Sequence, residues 1–582
     1  MHPRAAAHVL AQIAALLELQ GANRFKARAY EQAARAIRGV DTDDLSPLLQ
    51  ASALDDVPGL GPATLAVVRD LVAEGESPLL ERLRADVPDG LVELLDVPGL
   101  TAPRIHALHA ALGIEGADDL EAAARDGRLA TVKGFGPKTV DKIVEGIAFM
   151  RAARGLALFP RAAGDAAHLL ADVRRHPSVE RAELAGSLRR LSEVIADVDV
   201  VAESTRPAAE VYASFARAPG VVEARQRDGG LALRHADGAR LDLTVAAPDE
   251  WAVAFWRATG SAAHVEAVEA RAASLGFSLG ARTLRDGAGR ARPLPDEAAL
   301  YAALGMSWVP PELREGRGEV EAAVLGALPR LLDVADLRGS LHNHTSYSDG
   351  GASVREMAEA ARARGWQYIG ITDHSVGAFY AGGMKPDAVL RQHHEIDLVN
   401  EAYAADGVDF HVLKGVEADI LPDGRVDYAD DALLPRFDYV IGSVHSQFRM
   451  SEAAMTERVC RALESPYLTI LGHPTGRLLL SRDAFAIDID AVLEKAASTG
   501  TCVELNADSH RLDLDWRLLQ RATSLGIPIE IGPDAHSTAG LDNVRWGVNV
   551  ARKGWLTAAQ TLNARSVSEV LAFARAKRER MS

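Results

Sequence analysis

At 582 residues the chain is too long for one hydrophobic core, and its length predicts three to five compact units. Hydrophobic residues make up 48% and charged residues 25%, ordinary for a soluble globular protein, and no apolar run approaches the roughly 20 residues that span a bilayer. The net charge of −17 argues against a binder of nucleic acid that works by bulk attraction, while an excess of carboxylates suits sites that hold divalent cations.

Residues 1–150 carry 15 Lys+Arg against 22 Asp+Glu and read as short helices separated by glycine turns. Apolar residues at Ile13, Leu16, Leu17 and Leu19 predict one amphipathic helix from Val9, and residues 28–37 predict a second. The stretch Val9 to Leu19 lacks a basic leader and a cleavage site, so it is not read as a signal peptide. Two cysteines, Cys460 and Cys502, make no disulfide framework and favour a reducing cytoplasm. A weak repeat appears three times, ValProGlyLeuGlyPro (57–62), ValProGlyLeuThrAla (97–102) and ValLysGlyPheGlyPro (132–137), each before a helical stretch.

From about residue 152 the pattern becomes mixed, with strand-like runs at 198–202 and 241–246. Asp197 and Asp199 flank Val198, so on a strand both carboxylates turn to one side and the valine to the core. Asp242 offers a third acid from another strand, and three such carboxylates can hold two Mg²⁺ or Mn²⁺ ions. Gly186 and Ser187 before a helix supply amides and a hydroxyl for phosphate, with Arg190 as the cation. AspXAsp alone is more often a solvated strand edge; the composite is what carries weight.

A turn-prone segment at 310–319 precedes a helix leading to Leu331, and a linker is expected at 321–337. Beyond it, strands predicted at 368–372, 410–415, 439–444, 468–472, 502–505 and 527–531 alternate with helices, the rhythm of an α/β barrel with active residues at the C-terminal strand ends. The candidate ligands fall at those ends: His342, His344, Asp349, His374, Glu417, His445, His473, Asp534 and His536. A lone histidine is usually a hydrogen-bonded core or surface residue; recurrence after strand upon strand reverses that expectation. Mixed His/carboxylate ligation without cysteine suits Mn²⁺, Zn²⁺ or Fe²⁺. His393, His394 and His510 lie in polar stretches and read as solvated. Arg477 and Lys414 are candidate phosphate contacts, with solvated cations the competing reading.

On these residues, 338–565 resembles the PHP (polymerase and histidinol phosphatase) superfamily, through its HisXHis opening, ThrAspHisSer, Glu417, His445, GlyHisPro and AspAlaHis. The resemblance implies a distorted (β/α)₇ barrel with a three-metal site hydrolysing phosphate esters. GlySerXArgArg followed by AspXAsp, then Thr259-Gly260-Ser261 and 303–319, resembles a bacterial family X (DNA polymerase beta-like) polymerase within the nucleotidyltransferase fold. That implies catalytic Asp197, Asp199 and Asp242, nucleotide contacts at Gly186, Ser187, Arg190, Thr259 and Gly260, and DNA contacts at Gly59, Gly61, Gly134 and Gly136 of helix-hairpin-helix turns. Simple helix-turn-helix packing is the alternative for these turns and weighs most at Gly99, where Thr101 replaces the second glycine.

The chain is thus expected to be multidomain α+β and α/β: a helical DNA-binding domain (1–80), fingers (81–151), a nucleotidyltransferase palm (152–250), a thumb (251–320), the linker (321–337) and a PHP phosphoesterase domain (338–575). The expected function is gap-filling DNA synthesis fused to a 3′→5′ exonuclease or 3′-end phosphoesterase in DNA repair. Its partners are gapped or primer-template DNA and deoxynucleoside triphosphates, with no membrane, and the chain is expected to be a monomer. The alternative is a DNA-binding protein with a vestigial polymerase and an active phosphoesterase; a histidinol-phosphate-type phosphatase is disfavoured by fusion to hairpin modules. Departures from the family are Arg257-Ala258 in place of an aromatic pair, Val265 in place of an asparagine, and Leu191 and Ala196 in place of glycines. Ala63 and Val67 stand where eukaryotic members carry lyase lysines.

Overall fold

The computed structural model describes all residues except 1–2, 22–23, 39, 41, 43–44, 56, 98, 219–220, 236–237, 429–432 and 582. The chain divides into two compact units, Met1–Arg154 and Gly155–Ser582.

The first unit contains no strand among its described residues. Helices Pro3–Leu19 and Arg24–Arg38 occupy the two predicted amphipathic stretches and bury Leu10, Ile13, Leu16, Leu17, Ala33 and Ile37. The three repeats end in helices Pro62–Glu74, Ala102–Leu112 and Pro137–Ala153. Their leading glycines Gly59, Gly99 and Gly134 all have φ between 86° and 95°, where a side chain would be strained. The second position differs: Gly61 (φ −119°) and Thr101 (φ −128°) are both extended, a conformation any residue adopts. The backbone therefore needs only the first glycine, and the middle repeat forms the same turn despite Thr101. Pro98 of that repeat lies outside the described residues.

In the second unit a five-stranded mixed sheet comprises β1 (Arg181–Leu184), β2 (Val198–Glu203), β3 (Val221–Arg227), β4 (Gly230–His235) and β5 (Arg240–Ala246), in the order β1-β2-β5-β4-β3. Val198, Val200, Leu241, Leu243 and Val245 alternate into its core. The parallel β2/β5 register sets Asp199 opposite Asp242. Helix Glu319–Leu325 is shorter than expected because Gly326 (φ +66°) ends it in a left-handed cap. Val320, Ala323 and Leu331 pack with Trp256 and Leu300.

Beyond residue 338 the strands are β6 (Gly339–Ser340), β7 (Tyr368–Ile371), β8 (His411–Lys414), β9 (Glu417–Asp419), β10 (Val440–Ser443), β11 (Leu468–Leu471), β12 (Cys502–Asn506) and β13 (Ile529–Gly532), all paired in parallel. Only Gly415 and Val416 separate β8 from β9, so they form one broken strand and the ring has seven members. Its ladder runs β6-β7-β8 and β9 through β13 as two sheets. Isolated bridges His374–Glu417 and Asn343–Ala535 span the two breaks. This is a distorted barrel, and both breaks lie at candidate ligands, where regular pairing yields to side-chain aim.

The mixed sheet and the barrel meet through buried charge. Glu193 accepts from Trp516 Nε1 and Arg517 Nη1, each at 3.2 Å. Lys553, with 1% of its side chain exposed, donates to the Arg190 carbonyl at 3.2 Å and pairs with Glu315. Burial lowers its pKa against the pull of Glu315. Lys553→Met leaves the Arg190 carbonyl without its donor and Glu315 with Arg190 as its remaining cation, and is expected to cost about 2 kcal/mol, measured as a lower unfolding midpoint.

Candidate active sites

In the mixed sheet, Gly186 has φ +58°, and a Cβ there would come within 1.7 Å of the Asp199 carboxylate. Only glycine lets the loop close over the acid. Ser187, half-buried, follows in the single helical turn Gly186–Arg189. Leu191, where the family has glycine, is held at φ +56°, a left-handed conformation that glycine adopts without strain. Burial, then Asp197 and Asp242, push the Asp199 carboxyl up to about 7. Asp242 is also raised, by burial first, and Arg227 pairs with it at 2.6 Å. Cations would be welcome here, although the tight clusters of three or more His and acid ligand atoms among the described residues all lie in the barrel.

Arg190 donates to Glu315 at 2.9 Å and to the Thr259 carbonyl at 2.8 Å, and Arg189 donates to the Thr259 hydroxyl at 2.7 Å and to both Glu297 oxygens. The Thr259 side chain is fully buried, so its hydroxyl braces the arginines rather than facing a ligand. Gly260 packs closely on His264 and Val265. Arg257 turns to Glu269 and the Gly280 carbonyl, and Val265 is buried in the adjoining core.

All nine barrel candidates come together. Three overlapping groups hold ligand atoms within 4.8 Å of one another: His344, Asp349, His374 and His536; His342, His344 and Asp534; and His374, Glu417 and His445. His473 joins through Nε2, 2.9 Å from Glu417 Oε1. The donor set fits divalent cations, because buried nitrogens of His342, His344, His374 and His473 have no hydrogen-bond partner.

Proton positions follow from the same crowding. Burial opposes charge on His342, but Glu504, Asp534 and Glu417 hold its pKa well above the usual value. Against the same burial, acids raise His445 to about 10 and His536 to about 9. Burial wins at His344, lowered to about 4, and at His473, lowered to about 3. Asp349 is held at about 2 by His536, His374 and His344 despite burial. Cation binding must displace the protons of His342, His445 and His536, so affinity rises with pH.

The sequence reading missed the carboxylates behind the candidates. Glu504 accepts from His342 Nδ1 at 2.5 Å and His473 N at 2.6 Å, and Asp419 meets His445 Nδ1 at 2.8 Å. Asp373 accepts from Thr345, Ser348 and Gln392, fixing the turn that carries Asp349. The available signals were an acid inside the apolar run 502–505 and the GluXAsp spacing of Glu417 and Asp419.

Other expectations need correction. His393 is buried, 4.9 Å from the Phe437 ring, because it falls on the inner face of its helix; His394 and His510 are exposed as expected. Arg477 is spent on Arg511 O, Leu512 O and Asp515, and Lys414 pairs with Asp397 at 2.6 Å, so neither reads as a phosphate contact. Arg511 faces the cluster instead, 3.6 Å from Asp534.

A barrel lined by overlapping histidine–carboxylate groups, joined to a sheet with paired strand aspartates, defines a polymerase–phosphoesterase class of protein. Family models agree: PHP domain over 340–507, DNA polymerase beta thumb over 254–315, a helix-hairpin-helix domain over 1–77 and a SAM-like helix-hairpin-helix tandem over 91–148. The DNA polymerase/3′-5′ exonuclease PolX of Bacillus subtilis is 35% identical over 98% of this chain and 99% of its own length. The chain belongs to the PolX family. Its barrel is also similar to probable phosphatases of Caldanaerobacter subterraneus (32% identical, 34% of this chain, 74% of that protein) and Syntrophotalea carbinolica (30%, 34% and 79%). No described helix is long and apolar enough to cross a membrane.

Proposed function

We propose that this chain fills gaps in DNA at the Asp197, Asp199 and Asp242 site and trims 3′ ends, as exonuclease or 3′-phosphoesterase, at the barrel cluster. The observation that carries the reading is the end-to-end similarity to a relative named for both activities, together with the facing acids Asp199 and Asp242 in the sheet and the histidine–carboxylate groups in the barrel. Mg²⁺ or Mn²⁺ in the sheet and Mn²⁺, Zn²⁺ or Fe²⁺ in the barrel, three ions there as the family resemblance implies, would be held by the residues named above. Such cations neutralise phosphate oxygens and acidify water.

The chain's own residues do the rest. Gly186 and Ser187 approach the triphosphate, Arg190 supplies positive charge, and the turns at Gly59, Gly61, Gly134 and Gly136 present amides to DNA phosphates. In the barrel, Glu504 and Asp419 orient the His342 and His445 rings, and Arg511 is placed to meet a phosphate. The domain boundaries at 80, 151, 250 and 320 are retained in this reading, with 321–331 packed onto the thumb core rather than free as linker, as are a cytoplasmic location and a monomer. A gapped primer-template assayed with Mg²⁺ and Mn²⁺, scoring extension and degradation together, tests it; absence of extension with both ions would favour the vestigial-polymerase alternative.

The altered nucleotide wall has its own consequence. With Arg257 tied to Glu269 and Val265 buried, synthesis is expected to be slow, Mn²⁺-favoured or relaxed in its choice between deoxy- and ribonucleotides. Efficient, strictly deoxy-selective extension with Mg²⁺ would contradict this. Val67 is buried and Ala63 is a methyl, so no amine at either position can form a Schiff base with an abasic sugar. Borohydride should trap no covalent complex there.

A further inference from the structure

The loop between His374 and Met384 is tightly built yet displays aromatic rings to solvent. Its base is fixed by Ser375 N to Glu417 O (3.0 Å), Met384 N to His374 O (2.8 Å) and Gly377 N to Asp427 (2.7 Å). Gly383 allows the return, since a Cβ there would meet the Ser375 carbonyl at 1.9 Å. Ala378 and Ala381 are buried beneath the tip, whereas Phe379 is 85% and Tyr380 62% exposed. The two rings stand edge to face, centroids 6.0 Å apart. The Tyr380 centroid lies 6.4 Å from that of His374 and 6.3 Å from that of His445, at the mouth of the cluster.

Holding the rings in water forgoes roughly 2 kcal/mol of burial at Phe379 and less at Tyr380, which is partly covered. Aromatic faces at that distance from a phosphoester site match one ligand chemistry, the π-face of a nucleobase whose phosphate reaches the cluster. An acidic chain also needs an uncharged means of gripping DNA. Resting on the exonuclease reading above, we propose that Phe379 and Tyr380 form a stacking subsite for the base at the 3′ end of single-stranded DNA, so that the barrel recognises a nucleotide and not merely a phosphodiester.

The test is the double variant Phe379→Ala/Tyr380→Ala in the full chain, against three substrates. Wild-type protein should degrade an oligonucleotide with a 3′-terminal thymidine about tenfold faster, in kcat/KM, than one ending in an abasic residue. The variant should lose that ratio while hydrolysing a wholly abasic (tetrahydrofuran) phosphodiester oligomer within twofold of wild type. A 3′-terminal 2-aminopurine should be quenched on binding to wild type in EDTA, and much less by the variant. An unchanged ratio, or a parallel loss on the base-free diester, overturns the proposal. So does a change of oligomeric state by sedimentation with quenching retained, which would mark the rings as a contact between copies. If wild type hydrolyses the diester but no DNA end, the exonuclease reading fails, and the quenching decides the stacking site separately.

Discussion

Asp199→Asn is expected to reduce nucleotide incorporation at least about 10³-fold while leaving 3′-end degradation within twofold of wild type. Asp199 sits beneath Gly186, opposite Asp242 on the parallel ladder, and its carboxyl is raised by burial first and then by Asp197 and Asp242. An amide there removes the negative charge that a cation pair requires, and losing roughly 4 kcal/mol of transition-state stabilisation gives that factor. The same substitution has an opposite effect on the metal-free fold. With a folded pKa of about 7, raised above the ordinary carboxylate value, wild type has full stability below about pH 4 and loses it as pH rises through 7. The neutral amide avoids that loss, so at pH 8 in EDTA the variant should unfold at a higher temperature than wild type. Retained incorporation would remove Asp199 from the catalytic set and with it the gap-filling reading.

Glu417→Gln should do the reverse. Its carboxylate is 1% exposed, with oxygens 2.9 Å from His374 Nδ1, 2.9 Å from His473 Nε2 and 3.2 Å from His445 Nε2, so it touches more of the cluster's imidazoles than an edge residue such as Asp349. Burial opposes its charge, but His445, His374 and His342 hold its pKa well below the usual range. Loss of that anion removes a ligand oxygen and takes away one of the charges that hold His342 and His445 above their usual pKa. Bound metal, counted by plasma mass spectrometry, should fall by at least one ion per chain, and 3′-end degradation by about 10³-fold or more, with extension of a gapped primer retained. Parallel loss of extension would mean that the two sites depend on each other through the buried contacts of Lys553, Glu315 and Glu193.

The sequence by itself determined the modules, their order and the nine barrel candidates, because ligands at strand ends recur with the strand and each carries a recognisable residue type. Asp199 on β2 was legible as a candidate because alternation along a strand is a local property, whereas Asp197 falls in the bend just before that strand. The requirement for glycine at 59, 99 and 134 was legible for the same reason, while the tolerance of Thr101 emerged only from the backbone angles.

Tertiary structure decided what depends on partners distant in the chain. Glu504 is one acid in an apolar strand, 162 positions along the chain from His342, until folding sets it 2.5 Å from that ring, and Lys553 is an ordinary helix-terminal cation until it is sealed against Arg190 and Glu315. Arg477 and Arg511 are indistinguishable by type and neighbourhood; packing spends the first on carbonyls and leaves the second beside Asp534. His393 looks solvated in a polar stretch, yet helical periodicity turns it inward onto Phe437 while His394 stays outside. Residue type and spacing encode which groups are available, but burial and charge pairing are long-range, and these decide which groups face the cluster and which brace the fold.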